Sequence, residues 1–104
     1  MSTQETLTPE NVILKDEKIG SYISEKLSNY LKKYTTKNDR ETVAENTSVG
    51  VYTIRNVANR SNTLSEENSK AIAELIRIAI SKCENAIDDA GDALEELRAI
   101  LKEK

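Results

Sequence analysis

Apolar residues recur along most of the chain at intervals of three and four, the spacing that places side chains on one face of an α-helix. The first regular series runs from Ile19 to Tyr34 and predicts a helix over about 16–34. Lys32 and Lys33 fall in its last turn, where positive charge complements the helix dipole. The apolar members of this series are Ile19, Tyr22, Ile23, Leu27, Tyr30, Leu31 and Tyr34. They predict one buried helix face.

The N-terminus is polar, and residues 1–8 are predicted to be disordered. Thr8, Pro9 and Glu10 predict the start of a short helical turn, with Thr8 as N-cap and Pro9 at the first helical position. Pro9 is the single proline, so nothing after it obliges a helix to end. Because the chain has four tyrosines and neither tryptophan nor phenylalanine, its core has to be built from aliphatic side chains. These features predict an all-α protein.

Two short helices are predicted over about 39–46 and 51–59. Asn38 is the expected N-cap of the first, and Glu41, three residues later, would complete part of a capping box. A tight turn over 48–50 joins the two helices, and a polar loop over 60–62 follows them.

The segment 40–59 has the residue types that two closely crossing helices need. Ala44 is small enough for the helices to touch, and Ser48 and Gly50 suit the backbone angles of a sharp turn. The inner faces are predicted to carry Val43, Thr47, Val49, Ile54 and Val57. The segment is therefore interpreted as a helix-turn-helix.

This segment resembles the helix-turn-helix of the lac-repressor family. The pattern of that family is matched in register by Val43, Ala44, Thr47, Val49, Thr53, Ile54, Val57 and Asn59. The segment departs from the family pattern at two positions. Ser48 replaces the turn glycine, and Gly50 replaces the serine that caps the recognition helix. The likeness covers about twenty residues, and the layout with a helix before the motif and further helices after it is similar to small Cro-like and Xre-like phage regulators. Both groups bind DNA, usually as dimers that repress transcription.

The resemblance implies which side chains meet DNA, because the first residues of the second helix enter the major groove in such motifs. Arg55 would pair with guanine, Asn56 with adenine or a phosphate, and Val51 with a thymine methyl group. Tyr52 and Thr53 would bond to phosphate oxygens. The further candidates are Asn59, next along the outward face, and Arg60, Arg40 and Lys37 at the edges of the motif, where phosphates would lie.

The formal net charge is −3, but its distribution is uneven. Residues 26–60 carry seven basic against three acidic side chains, which gives +4, whereas the flanking segments are both negative. A basic middle third is compatible with a nucleic-acid partner, although ordinary surface charge could give the same balance.

The last helix is predicted to begin at a cap on Thr63 or Ser65 and to continue to residue 104. Its residues 72–80 are apolar on nearly all sides and are expected to be buried. Beyond them the spacing is that of a heptad repeat. Its a positions are Ile80, Ile87, Leu94 and Leu101, and its d positions are Cys83, Ala90 and Leu97, with Ile76 one step earlier.

A helix of this length exceeds what a small domain covers, and two explanations stay open. In the first, which is favoured, the heptad seam pairs with a second copy to form a homodimer. In the second, the helix breaks near Glu84 and Asn85, or at Gly91, and folds back. Cys83 is interpreted as a small apolar residue of the seam, with a redox switch or an intersubunit disulfide as the alternative.

The sequence contains no histidine, a single cysteine and no phosphate-binding glycine motif. We therefore expect neither an enzyme nor a protein with a metal, a cofactor or a small-molecule ligand. No apolar run is long enough to cross a membrane and no secretory signal is recognisable, which favours the cytoplasm.

The predicted organisation is a helix-turn-helix domain of about four helices over 9–80, followed by a dimerisation segment over 81–104. The predicted function is sequence-specific binding of double-stranded DNA as a small homodimeric regulator. The alternative is a protein-interaction or virion-assembly module that uses the same scaffold and the long helix.

Overall fold

The computed structural model describes Leu14 and residues 17–101, and this part of the chain forms four α-helices without a β-strand. The all-α prediction with a long C-terminal helix is thus confirmed. The predicted disorder over 1–8, the helix start at 8–10 and the last three residues lie outside the described residues. The helices are α1 (Glu25–Tyr34), α2 (Lys37–Thr47), α3 (Val51–Ala58) and α4 (Glu66–Leu101).

Helix α1 begins at Glu25, so the predicted start near residue 16 is wrong. Gly20 has a φ of 93° and its N–H donates to the carbonyl of Leu64, while the N–H of Leu64 donates to Ser21. This exchange holds the segment against the loop before α4, which a helix could not do. Ser24 then caps α1, and the carboxylate of Glu17 accepts hydrogen bonds from both the N–H and the hydroxyl of Ser24.

Helix α2 begins two residues earlier than the sequence predicted, and its N-cap is Thr36 rather than Asn38. The Thr36 hydroxyl accepts from the N–H of Asp39, and the Asp39 carboxylate accepts from the N–H of Thr36. The reciprocal pair satisfies two backbone donors at the helix start and makes Asp39, not Glu41, the acidic member of the capping box.

The turn between α2 and α3 lies where it was predicted, at residues 48–50. Ser48 ends α2 in the left-handed conformation, with φ 62° and ψ 19°. The hydroxyl of Thr47 donates to the carbonyl of Val43 and accepts from the N–H of Val49, which ties the turn to the preceding helix. An L-residue with a side chain incurs a steric cost in this conformation that glycine avoids.

Replacing Ser48 with glycine is expected to raise the free energy of unfolding by about 0.5–1 kcal/mol, because strain in the folded turn is removed. Urea unfolding at fixed protein concentration measures the change. Ser48→Ala is the matched control, since alanine also lacks the hydroxyl but keeps the Cβ. If the alanine variant gained as much stability as the glycine variant, backbone strain at Ser48 would not be the cause.

Helix α4 is continuous from Glu66 to Leu101 and passes through both Glu84 and Gly91 without a break. Of the two predicted caps, Ser65 is the one used: its hydroxyl accepts from the N–H of Asn68, whose side chain accepts from the N–H of Ser65. At about 1.5 Å per residue the 36 residues extend about 54 Å. In the part of the chain that the structure describes, no helix combines the length and apolarity that crossing a bilayer requires.

The core lies where the first half of α4 packs against the other three helices. As the sequence predicted, the inner faces of α2 and α3 contribute Val43, Val49, Ile54 and Val57, all buried, whereas Thr47, predicted with them, is half-buried. From α4 come Ile72 and its neighbours, but the predicted burial of residues 72–80 is wrong for Ile80, which is half exposed. The buried apolar residues are Ile23, Leu31, Val43, Val49, Ile54, Val57, Ala58, Leu64, Ala71, Ile72, Ala73, Leu75 and Ala79. Every residue of α4 from position 84 onward is exposed.

Candidate nucleic-acid interface and apolar groove

A cleft of about 530 Å³ opens between the start of α2 and the outward face of α3. It brings together five of the residues predicted to meet DNA. Its lining consists of Lys37, Arg40, Glu41, Val51, Tyr52 and Arg55. Three of these side chains are basic and one is acidic, so the cleft carries a formal charge of +2.

The packing of α3 determines which of its side chains reach this cleft. Ile54 and Val57 are fully buried on the inner face, and at 100° per residue this turns Tyr52 and Arg55 outward. The side chain of Tyr52 is 73% exposed, which is unusual for an aromatic group in a small protein. The N-cap of α3 is Gly50, so no side chain caps the first N–H groups of this helix. Its first turn holds no acidic residue.

Asn59 and Arg60 lie away from the cleft, in a separate depression against α1. Arg60 donates from Nε to the carbonyl of Ile23 at 2.7 Å, and its Nη1 lies 3.8 Å from a carboxylate oxygen of Glu25. Its guanidinium therefore holds the N-terminal segment to the end of α3. Nearby, the buried Ser28 hydroxyl donates to the carbonyl of Ala58 at 2.7 Å. The residues predicted to meet DNA are thus divided between the cleft and the depression against α1.

Of the remaining predicted contacts, Asn56 is exposed and Thr53 is half-buried, and neither lines the cleft. Glu41 does line it, although its part in the surface was not predicted. Since Glu41 follows Arg40 directly and lies one helical turn from Lys37, the α-helical period could have placed it on the same surface.

Asp39 joins α2 to α4 through an ion pair with the ammonium group of Lys82, a contact that the sequence pattern does not indicate. Burial raises the pKa of Asp39, but the hydrogen bonds from Lys82 and Thr36 and the positive charge of Lys82 outweigh it. The pKa of Asp39 is therefore lowered from its ordinary value. Because the same carboxylate caps α2, one residue both starts the helix that carries Lys37 and Arg40 and fixes it to the long helix.

A second surface is an apolar groove of about 390 Å³ between α1 and α4. Three residues of the predicted dimerisation seam line it, namely Ile80, Cys83 and Ile87. Tyr30 and Tyr34 of α1 form part of the facing wall, a contribution that the heptad pattern of α4 could not reveal. The other seam residues lie on the exposed extension of α4: Ala90, Leu94, Leu97 and Leu101.

Comparisons with protein-family models, with curated proteins and with solved structures found no significant match to this chain.

Proposed function

We propose that this protein binds duplex DNA in a sequence-specific manner, with α2 and α3 acting as a helix-turn-helix and α3 entering the major groove. The observation that carries the proposal is the +2 cleft between these helices, which holds Lys37, Arg40 and Arg55 on one exposed surface. A surface of this kind suits a polyanion, because its charges can pair with phosphates while the helix face reaches base edges.

The roles follow from where each side chain lies. Arg55 is on the outward face of α3 and would donate to the O6 and N7 atoms of a guanine. Tyr52, one turn earlier, would donate its hydroxyl to a phosphate oxygen. Lys37 and Arg40 lie on the neighbouring helix and would contact the phosphates beside the groove. Arg60 keeps a supporting role, since its Nε is bonded to the backbone of Ile23.

The proposed setting is a homodimeric, repressor-like regulator in the cytoplasm. Dimerisation is supported by the seam of α4, where Ile87, Leu94 and Leu97 are exposed on a helix that the other described residues leave largely uncovered. Two copies related by a two-fold axis would present two α3 helices, which would read a two-fold symmetric site.

The second candidate is a protein-interaction or assembly module. It is favoured by a specific feature, the distal part of α4, where exposed leucines lie among acidic residues. In that case the seam would bind a different protein, and the cleft between α2 and α3 would be ordinary solvated surface.

Selection from a pool of random duplexes, followed by sequencing of the bound fraction, tests the proposal. We expect enrichment of a two-fold symmetric sequence at low salt and a loss of binding as salt is raised, because phosphate contacts release counterions. A protein that enriches no sequence at low salt would exclude specific DNA recognition and favour the assembly module.

A further inference from the structure

We propose that two copies of this chain pair through antiparallel α4 helices, with the distal part of each α4 seated in the apolar groove of the other copy. The inference deepens the dimerisation that forms part of the proposed function, and it is independent of whether the cleft binds DNA. The groove is the one between α1 and α4, lined in part by Tyr30, Ile80, Cys83 and Ile87.

The proximal and distal halves of the seam differ in how much of each the same chain covers. This difference indicates that each half binds the opposite half of the second copy. The proximal half is flanked by α1, so its residues form the floor of a concave groove. The distal half, from residue 88 to 101, lies beyond the groove, is exposed on every side and forms a convex helix. Leu94 is 49% and Leu97 62% exposed, although both occupy seam positions. A convex apolar helix fills a concave apolar groove, whereas two grooves placed face to face would leave a cavity.

Antiparallel pairing also gives one register that uses the whole seam. The seam steps are alternately four and three residues, so reversing one helix brings each a position opposite a d position of the other. The two-fold axis then passes between residues 88 and 89. Residues that lie at the same height on the two helices have numbers that add up to 177. Ile76 then faces the partner's Leu101, and Ile80 faces the partner's Leu97. Cys83 faces the partner's Leu94, and Ile87 faces the partner's Ala90.

This register places each large distal leucine against a residue of the proximal half, and it leaves no seam residue from 76 to 101 without a counterpart. Nearest the axis Ile87 faces the partner's Ala90, so one side chain of that pair is small. Small side chains allow two helices to approach closely at that point.

Charge complementarity supports the same sense of pairing. Glu84 borders the groove, and Arg98 is the only basic residue between positions 84 and 101. Both occupy the same heptad position beside the seam. Antiparallel pairing brings Glu84 within about 7.5 Å along the axis of the partner's Arg98, a gap that two long side chains can span. In parallel pairing the flanking residues opposite them would be alanines, which offer no charge.

Crosslinking of the full chain with a short bismaleimide, in the absence of DNA, tests the register. Cys83 is the single native cysteine and is accessible in part. Antiparallel pairing separates the two Cys83 residues of a dimer by about 16 Å along the axis, so the wild-type protein should remain uncrosslinked. Leu94→Cys adds a thiol level with the partner's Cys83. We expect this variant to be converted to a covalent dimer with loss of the monomer band.

Two controls isolate the facing pair. Cys83→Ser combined with Leu94→Cys should not crosslink, because the two introduced thiols are again about 16 Å apart along the axis. Glu95→Cys with Cys83 retained moves the thiol to the outward face and should also fail. Circular dichroism checks that each variant keeps its helix content. The proposal is overturned if wild-type protein crosslinks through Cys83, as parallel pairing requires, or if sedimentation shows only monomer, in which case a different protein covers the seam.

Discussion

Replacing Arg55 with alanine is expected to weaken binding to the preferred duplex by roughly 5- to 150-fold per half-site, since one bidentate pair with guanine contributes about 1–3 kcal/mol of discrimination. The loss should be confined to the base pair that Arg55 reads. Repeating the duplex selection with the variant should therefore relax the preference at one position of each half-site and leave the others intact. Arg55 is exposed and its removal leaves the buried face of α3 unchanged, so folding should be unaffected.

Lys37→Ala is the matched control, because it removes one positive charge from the same cleft at a position expected to meet a phosphate. It should weaken all duplexes about equally and reduce the slope of log affinity against log salt by about 1 per half-site. The two variants thus separate base recognition from charge. If Arg55→Ala lowered affinity uniformly, as Lys37→Ala should, then Arg55 would be a phosphate contact and the readout assigned to it would be wrong.

The sequence predicted α3 and α4 closely, because their residue pattern alone determines their buried faces. Ile54 and Val57 lie one turn apart and Ile72 and Leu75 do the same, and all four are buried. The period of the α-helix then fixes which residues point outward. For this reason the spacing of the apolar residues is enough to place Tyr52 and Arg55 on the exposed face of α3.

The start of α1 could not be predicted in the same way, because it depends on contacts between distant parts of the chain. Ile19 and Tyr22 continue the apolar spacing of the helix, yet both are about half exposed and lie before it. The backbone of Gly20 is paired with Leu64, more than forty residues away. Because periodicity reports only local neighbours, it extends the helical pattern into a segment that binds elsewhere.

The same reason explains what was missed at the candidate site. Basic residues at the edge of such a motif commonly meet phosphates, which is why DNA contact was predicted for Arg60, but its Nε donates to the carbonyl of Ile23, 37 residues earlier. The pairing of Asp39 with Lys82 spans 43 residues. In both cases the residue type indicated the charge, while the partner was determined by how the segment before α1 and helix α4 pack against the other helices.

Truncating Leu75 to alanine is expected to lower the free energy of unfolding by about 2–5 kcal/mol, because a fully buried side chain is lost and a cavity remains. Leu75 lies on the inner face of α4, in the core that all four helices share. With a total stability of about 5–15 kcal/mol typical of domains of this size, the loss would be a large fraction. Urea unfolding followed by circular dichroism measures it.

Leu97→Ala is the matched control, since it makes the same chemical change on the same helix at a side chain that is 62% exposed. If the protein is monomeric, Leu97→Ala should lower the free energy of unfolding by less than about 0.5 kcal/mol. In a dimer that buries Leu97, the unfolding midpoint of the wild-type protein rises with protein concentration, and Leu97→Ala should reduce that dependence. Leu75→Ala should instead lower the midpoint at every concentration. A wild-type midpoint independent of concentration would mean that Leu97 stays exposed and that the seam of α4 does not join two copies.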